Sequence, residues 1–516
     1  MIHPVSRNRI RKLAAGALLL SGLASSHFLP AQEPADAHDG QGVSARLDRM
    51  QHELDATQRQ LEEYRAAMQS MQRQMKAMAS ANNQSCGSNA LPDTPLAQDR
   101  NAVSLQQAVD DLREQQSVQQ SEIAVHEQAK VETRSRYNLK IGGMVLFNAF
   151  ENSGAVDSID VPVIAEARKT GASNASMGAS VRQSVITLDS TGPQFWGAHT
   201  YADVQVDFFG GLSTSDYTST AGTARMRAAS LQTVWPTVNI HAGLERLLVA
   251  SSAPTSYATV GEPAMAWSGN LWAWVPQLAV EKALNTSDSS QFTLAAALAD
   301  IPDPGPGSGN YVRTASAAES SRHPAVETRT AWSWGPNNSS AIGIGSYWSP
   351  HNYGASGNIH AWAALLDWRL MLPARFSFTG QAYKGQALGG LGGGAFKDVS
   401  ISYYYPAGYG QLISKATALR DEGGWAQLKF RLNDLFELNA AFGQDNDSAA
   451  QLRANYISLS NPYSGLARNQ TFLGNAIFRP RASLLLSFEY RRLASWQLVS
   501  PANTANIFGL AAGYEF

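Results

Sequence analysis

The sequence predicts an all-β transmembrane barrel of sixteen antiparallel strands, preceded by an N-terminal α-helical coiled coil. Three observations predict it: a seven-residue apolar rhythm early in the chain, a two-residue rhythm from about residue 136 onward, and a last strand ending on Phe516. In "ANIFGLAAGYEF" Phe508, Leu510, Ala512, Tyr514 and Phe516 share one face, and Gly509, Ala511, Gly513 and Glu515 share the other. Chain ends usually fray. A last strand that pairs with the first leaves no room for a loose tail.

Composition narrows the class. The formal net charge of −2 lacks the basic excess of a nucleic-acid binder, so no nucleic-acid partner is expected. No later run approaches the roughly 18 apolar residues of a spanning helix, so any crossing of a membrane must use strands. At the N-terminus, Arg7, Arg9, Arg11 and Lys12 precede "LAAGALLLSGLA", with small residues suited to cleavage after Ala24 or Ala31. Residues 1–31 therefore read as an export signal. The single cysteine, Cys86, lies far beyond it, which excludes an intrachain disulfide and argues against a lipid-anchored N-terminus.

The coiled coil is expected over residues 43–80. Leu47, Met50, Leu54, Thr57, Leu61, Tyr64, Met68, Met71, Met75 and Met78 occupy successive a and d positions, and only Thr57 is not apolar. These residues form the expected oligomerisation seam. "SANNQSCGSNALPDTP" breaks the helix through Gly87, Pro92 and Pro95, giving a linker over 81–101. A second helical segment over 102–135 carries Leu105, Val109, Leu112 and Ile123. Near Arg136 the period changes to two, and the barrel is expected over 136–516.

"YNLKIGGMVLFNAF" opens the barrel, with Tyr137, Leu139, Ile141, Val145 and Phe147 on one face. Short turns are expected near Ser190–Gln194, Pro236–Thr237, Asn285–Ser290, Gly335–Ser339, Leu372–Arg375, Asn433–Leu435 and Arg479–Ser483. Pairing strands across these turns and closing the first on the last gives sixteen, the layout of an outer-membrane barrel. In "WAQLKFRLNDLFELNAAFGQD", a three-residue turn sets Phe430 opposite Leu438 and Arg431 opposite Glu437, so each surface keeps one character. The same logic at Arg479–Ser483 pairs Phe478 with Leu484 and Asn475 with Ser487. A soluble sandwich would also alternate, with its apolar face inward. Export, and tryptophans at expected strand ends (Trp196, Trp235, Trp272, Trp274, Trp332, Trp334, Trp368), favour the barrel in outer-membrane lipid.

The chain also resembles a known family, the DcaP-like trimeric porins of bacterial outer membranes, over nearly the whole mature sequence. The order and spacing of "RQSVITLDSTGP", "TYADVQVDFFG", "ARMRAASLQ", "NIHAGLERLLVASSAPTSYA", "GGWAQLKFRLNDLFELNAAFGQDN", "NAIFRP" and "LLSFEYRRL" carry the resemblance. It implies a homotrimer, a periplasmic coiled coil and passive uptake of small, often anionic, solutes. It also makes Phe516, with Tyr514 and Phe508, the signal read by the barrel-assembly machinery. A departure is Leu244-Glu245-Arg246, where relatives often carry Gln-Thr-Trp.

With apolar side chains outward, the lumen receives the other set. The pore-lining candidates are Asp203, Asp207, Arg225, Arg227, Arg329, Arg369, Lys429, Arg431, Glu437, Glu489 and Arg491. Rows of cations in a narrow water channel attract anions, with nearby carboxylates grading the field. Any one of them serves equally well as a wall brace. Arg225 and Arg227 stand out because two like charges on one face are hard to explain as bracing. Arg182 and Arg246 sit beside apolar neighbours and are assigned to a rim or an interface. The glycine-rich "GQALGGLGGGAF" lacks the Gly-Lys-Ser/Thr ending of a phosphate loop and reads as an external or inward-folded loop.

Two other functions fit the sequence less well. A hydrolase would need a nucleophile with a base in reach, yet no Gly-x-Ser-x-Gly occurs, and the ten histidines offer no i, i+4 pair for a metal. No catalytic residue, cofactor or metal is therefore expected. In a structural tether the coiled coil would grip a periplasmic or cell-wall partner while the barrel anchors it.

Overall fold

A computed structural model describes residues 138–212, 222–287, 289–304, 313–405, 412–454, 463–498 and 500–516. The expected export signal, coiled coil, linker with Cys86, second helical segment and Tyr137 lie outside the described residues.

The chain enters the wall through β1 (Leu139–Asn152), β2 (Ser176–Ser180), β3 (Val185–Phe195), β4 (Ala198–Asp207), β5 (Arg225–Val234) and β6 (Val238–Arg246). It continues through β7 (Trp274–Ser287), β8 (Ser290–Ala299), β9 (Ala325–Trp334), β10 (Ser340–Asn352), β11 (Asn358–Leu372) and β12 (Phe376–Gln386). A small separate hairpin follows, β13 (Val399–Tyr404) with β14 (Ile413–Ala418). The wall resumes with β15 (Arg420–Arg431), β16 (Phe436–Asp447), β17 (Leu466–Arg481), β18 (Leu484–Gln497) and β19 (Asn503–Glu515).

Each wall strand pairs antiparallel with its neighbour, and β19 returns to β1. Both β2 and β3 pair with β1, one along its Asn148–Asn152 half and the other along Leu139–Met144, so together they fill one position. The result is a closed barrel of sixteen strands. Closure leaves no edge, which is the condition for strands to satisfy their backbone groups in lipid. Phe516 takes part directly: its amide donates to the Gly143 carbonyl and its carbonyl accepts from the Gly143 amide, both at 3.1 Å.

The two-residue rhythm becomes two surfaces. Along β16, Phe436, Leu438, Ala440 and Phe442 are exposed on the outside, while Asn439, Ala441, Asp445 and Asp447 are buried inside. On β19, Phe508, Leu510, Ala512 and Tyr514 face outward and Ala505, Ile507, Gly509 and Ala511 inward. Apolar side chains exposed on the outside of a closed wall are the reverse of a soluble sandwich. Aromatic stacks reinforce the outer face near the short-turn end, with Phe376 on Phe430 and Phe436 on Phe478, each 4.5 Å between ring centres. Two expected belt members are elsewhere. Trp272 packs inside, its ring 5.9 Å from Trp267, and Trp274 faces the lumen beneath Arg227.

Most turns fall where expected, and the hairpin β15–β16 has the predicted register, Phe430 opposite Leu438 and Arg431 opposite Glu437. Two expectations need correction. Ser190–Gln194 is not a turn; β3 runs through it to Phe195, absorbing Gly192-Pro193 in a register shift. The turn is Trp196-Gly197, with φ of 48° and 77°, the two left-handed residues a tight hairpin requires. At the second site β17 runs on to Arg481, so the turn is tighter and Phe478 meets Leu486, with Asn475 opposite Glu489. The shift is two residues, so each side chain keeps its face.

At the opposite end the connections are mostly long, although 353–357 and 498–502 are short. Three of the long ones turn inward: residues 153–175, 247–273 and 387–398. The last is the glycine-rich segment, with Leu388, Leu391 and Ala395 fully buried. Together with Leu247, Val249 and Leu271 it packs an apolar cluster against Tyr347, Ile359, Leu365 and Tyr383 of the wall. The interior is therefore not uniformly wet and ionic, as alternation alone implied. One side is filled by folded-in loops, and water-accessible space lies below them.

Candidate functional site

The segment 247–273 crosses the barrel, and the wall holds it by its backbone. The Glu327 carboxylate accepts from the Val249 amide at 3.0 Å, and Gln381 donates to the Val249 carbonyl at 3.1 Å. Gln427 accepts from the Thr255 amide at 2.6 Å, while Asn475 donates to the Thr255 carbonyl at 2.8 Å. On another part of the wall, Gln183 accepts from the amides of Val260 and Gly261, at 2.6 and 2.8 Å. Asn148 reaches the Tyr257 carbonyl and Asn469 the Trp267 carbonyl. An amide side chain both donates and accepts, so each inward Asn or Gln satisfies backbone groups that the crossing segment removes from water.

Gly269 sits at the tightest passage. Its φ is +98°, and a Cβ there would stand 2.1 Å from the Gly424 carbonyl oxygen and 2.5 Å from that of Gln444. Only glycine fits both the conformation and the space.

Glu262 adds a pH-sensitive contact on the same segment. It accepts from the Trp267 indole at 2.9 Å, and burial pushes its carboxyl up to about 7, with Asp157 adding to the rise and Arg225 and Arg491 opposing it. Burial likewise pushes the Asp157 carboxyl up to about 6. A carboxyl whose folded value is raised binds more protons folded than unfolded, so its stabilisation is present below the ordinary value and lost as pH rises through the folded one. The melting temperature of native protein should fall, relative to Glu262→Gln, between about pH 4.5 and 7. Parallel melting curves for the two proteins across that window would refute a neutral Glu262.

Several expected pore residues prove to be braces. Arg225 makes a two-bonded pair with Asp207, at 3.0 and 2.6 Å, and also donates to the Gly261 carbonyl at 2.6 Å. Arg329 forms a similar fork with Asp367. Arg491 is buried beside Glu489 and donates to the Pro162 carbonyl of the inward segment 153–175, so neither residue borders open space. Arg182, assigned from sequence to a rim or interface, is inside as well, paired with Asp160 at 2.6 Å.

The remaining charged candidates border or adjoin two cavities, one near the short-turn end and one reaching along the wall to the ends of β6 and β7. One, of about 550 Å³, is lined by Arg369, Arg375, Lys429 and Arg431, with Asp434 and the segment residues Ser252 and Thr255. Glu437 neutralises part of that charge, 2.8 Å from Lys429 and 3.5 Å from Arg431. The other, of about 830 Å³, is lined by Lys140, Arg227 and Arg246 on the basic side and Asp189, Asp203 and Glu245 on the acidic side. Its charges balance by count but not by pairing. Asp203 accepts from Ser230, and Glu245 lies against His241 and Gln277. Arg227 is the extra residue of a bulge in β5 and lies over the Trp274 ring at 4.8 Å. Neither guanidinium, of Arg227 or Arg246, makes a hydrogen bond or ion pair among the described residues.

Sequence reasoning missed Arg246 as a lumen residue because it ends β6, where alternation stops being informative. It also missed the inward amides. Their signal is present in hindsight for Gln381, Gln427 and Asn475, uncharged polar residues on the inner face of the wall beside small or apolar outward positions; Gln183 lies in the turn between β2 and β3, where alternation gives no signal.

A closed sixteen-strand wall, apolar outside, with loops folded into its lumen, defines a membrane-spanning barrel of the bacterial outer membrane. No protein-family model matches the sequence, and no curated protein does. Among solved structures, the chain is similar to the outer membrane channel DcaP of Acinetobacter baumannii, with a TM-score of 0.54 at 14% identity, over 75% of this chain and 100% of that one. Looser likenesses include OprB of Pseudomonas putida (TM-score 0.44, 10% identity, 73% of this chain and 94% of that). OmpT of Vibrio cholerae is similar at TM-score 0.42 and 9% identity, over 75% of this chain and 100% of that. At such identities the shared property is the fold.

Proposed function

We propose that the protein is a porin through which small hydrophilic solutes diffuse passively, with anions favoured. The observation that carries this reading is the pair of unpartnered guanidiniums, Arg227 and Arg246, on a cavity beneath the crossing segment. The opposite cavity adds four cations, Arg369, Arg375, Lys429 and Arg431, against Asp434 and the shared Glu437. In a passage with low-dielectric walls such groups raise the local anion concentration without binding tightly enough to stop flow. In this reading Arg227, Arg369, Lys429 and Arg431 line the path, and Asp203 and Glu437 grade it.

Phe516, Tyr514 and Phe508, lying on the outer face of the closing strand, are proposed to serve as the assembly signal. A homotrimer with the heptad segment at its axis is proposed on the resemblance noted above. The tether and hydrolase readings gain no specific observation. Purified protein in planar bilayers is expected to give discrete conductance steps whose reversal potential in a salt gradient lies on the anion side. A cation-side potential would overturn the preference, and absence of conductance would overturn transport.

A further inference from the structure

The far end of the β15–β16 hairpin carries a different cluster. Asp421 on β15 stands directly opposite Asp447 on β16, and Asp445 follows two residues back on the same inner face. Like charges facing across a ladder are destabilising. All three side chains are buried, and one oxygen of each lies within 4.8 Å of the other two.

Their partners are too few for three carboxylates. The Gly394 amide donates to Asp421 Oδ2 at 2.9 Å and the Ala395 amide to Asp445 Oδ2 at 3.4 Å. Lys397 Nζ is 3.1 Å from Asp447 Oδ2, but its hydrogen bonds go to the carbonyls of Ala395, Tyr463 and Leu466. Asp421 Oδ1, Asp445 Oδ1 and both oxygens of Asp447 make no hydrogen bond. Nearby Asp398 stands apart from the cluster: it accepts from the Gly390 amide at 3.3 Å and lies 3.7 Å from His351.

A fifth oxygen points the same way. Tyr383, 5% exposed, lies in one row with Gly423 and Asp445 across three neighbouring strands. Its ring leans over Gly423, where a Cβ would stand 2.5 Å from the hydroxyl. A Cβ on Gly393 would touch both groups, 3.0 Å from Asp421 Oδ2 and 3.4 Å from the Tyr383 hydroxyl. That hydroxyl lies against the Asp445 carboxylate but makes no well-formed hydrogen bond. An orphaned buried donor or acceptor is destabilising, and a charged one more so. Five oxygens without well-formed hydrogen bonds converge here, and a single cation, Lys397, stands beside one of them.

We propose that Asp421, Asp445 and Asp447 hold a calcium ion that fastens the glycine-rich segment 387–398 to the β15–β16 wall. The charges close: three carboxylates and Lys397 leave two negative charges, which one divalent cation cancels. All the free ligands are oxygens, the choice of a hard cation. Oxygens around calcium at about 2.3–2.6 Å stand up to about 5 Å apart, which suits this spacing, whereas magnesium demands a tighter shell at about 2.0–2.1 Å. The remaining positions would go to water. The site is independent of the ion preference proposed above, because none of its residues borders the two cavities of the passage.

The test uses full-length protein in detergent, stripped with EGTA and titrated with CaCl2 by calorimetry, with melting followed in parallel. One site per chain is expected, with a melting temperature that rises with calcium. Asp445→Asn should weaken binding by about tenfold or more, with Asp447→Asn as the second variant and the heat-modifiable gel shift confirming a closed barrel. MgCl2 should act more weakly. No calcium binding at millimolar concentration would overturn the proposal, as would an equal response to magnesium. So would asparagine variants that melt higher than native protein regardless of calcium, because the carboxyls would then be sharing protons instead.

Discussion

Replacing Gly269 by valine is expected to unseat the crossing segment and enlarge the single-channel conductance. The left-handed conformation alone costs a residue with a side chain roughly 1–2 kcal/mol. The collision is the larger effect, because the Cβ would lie 2.1 Å from the carbonyl oxygen of Gly424 on β15 and 2.5 Å from that of Gln444 on β16. These are backbone atoms of the wall, held by ladder bonds on both sides, so the segment must move instead. Gly354→Val is the control: its φ of +60° is also left-handed, but nothing lies within 4 Å of its Cβ. That variant should conduct like native protein. Native conductance from Gly269→Val would show that the segment does not narrow the path.

The second large effect is expected from Arg227→Ala combined with Arg246→Ala. Removing both free guanidiniums leaves Lys140 facing Asp189, Asp203 and Glu245 in the larger cavity. The reversal potential should move toward zero or to the cation side, with the melting temperature little changed because neither side chain anchors the wall or the loop. Arg225→Ala should behave in the opposite manner. It strands a fully buried Asp207 and frees Gly261, and breaking a buried pair costs up to about 3–5 kcal/mol, less here because Arg225 is partly exposed. Lower thermal stability is then expected before any loss of selectivity. Equal loss of selectivity from both variants would contradict the division of these arginines into brace and filter.

The wall was legible because its signal is local. Two-residue alternation in "KFRLNDLFELNAAF" determines both faces and the register, since a one-residue slip would bury Phe430 beside Glu437. The interior was not, because its order is set by distant partners. Nothing near Gln183 announces that it will hold Val260 and Gly261, and nothing near Arg225 announces Asp207 and Gly261 as a joint claim on its guanidinium. Trp272 and Trp274 look like belt residues by position in the chain, but the segment before β7 folds inward and takes Trp272 with it, while Trp274, first residue of β7, faces the cavity. Glycine-proline in "STGPQFWG" looks like a turn until the strand is seen to absorb it in a bulge, with Trp196-Gly197 supplying the two positive φ angles.

Transport through this barrel requires the apolar side chains of the wall to meet hydrocarbon. Nitroxide labels placed one at a time on β16 from Leu438 to Phe442, in protein whose native Cys86 is replaced by serine, would report it directly. Collision with oxygen should peak at positions 438, 440 and 442, and the labels at 439 and 441 should be shielded from it, facing the crossing segment or the passage. Oxygen maxima at the odd positions, or labels at 438, 440 and 442 immobilised and shielded as in a packed core, would contradict a barrel standing in lipid.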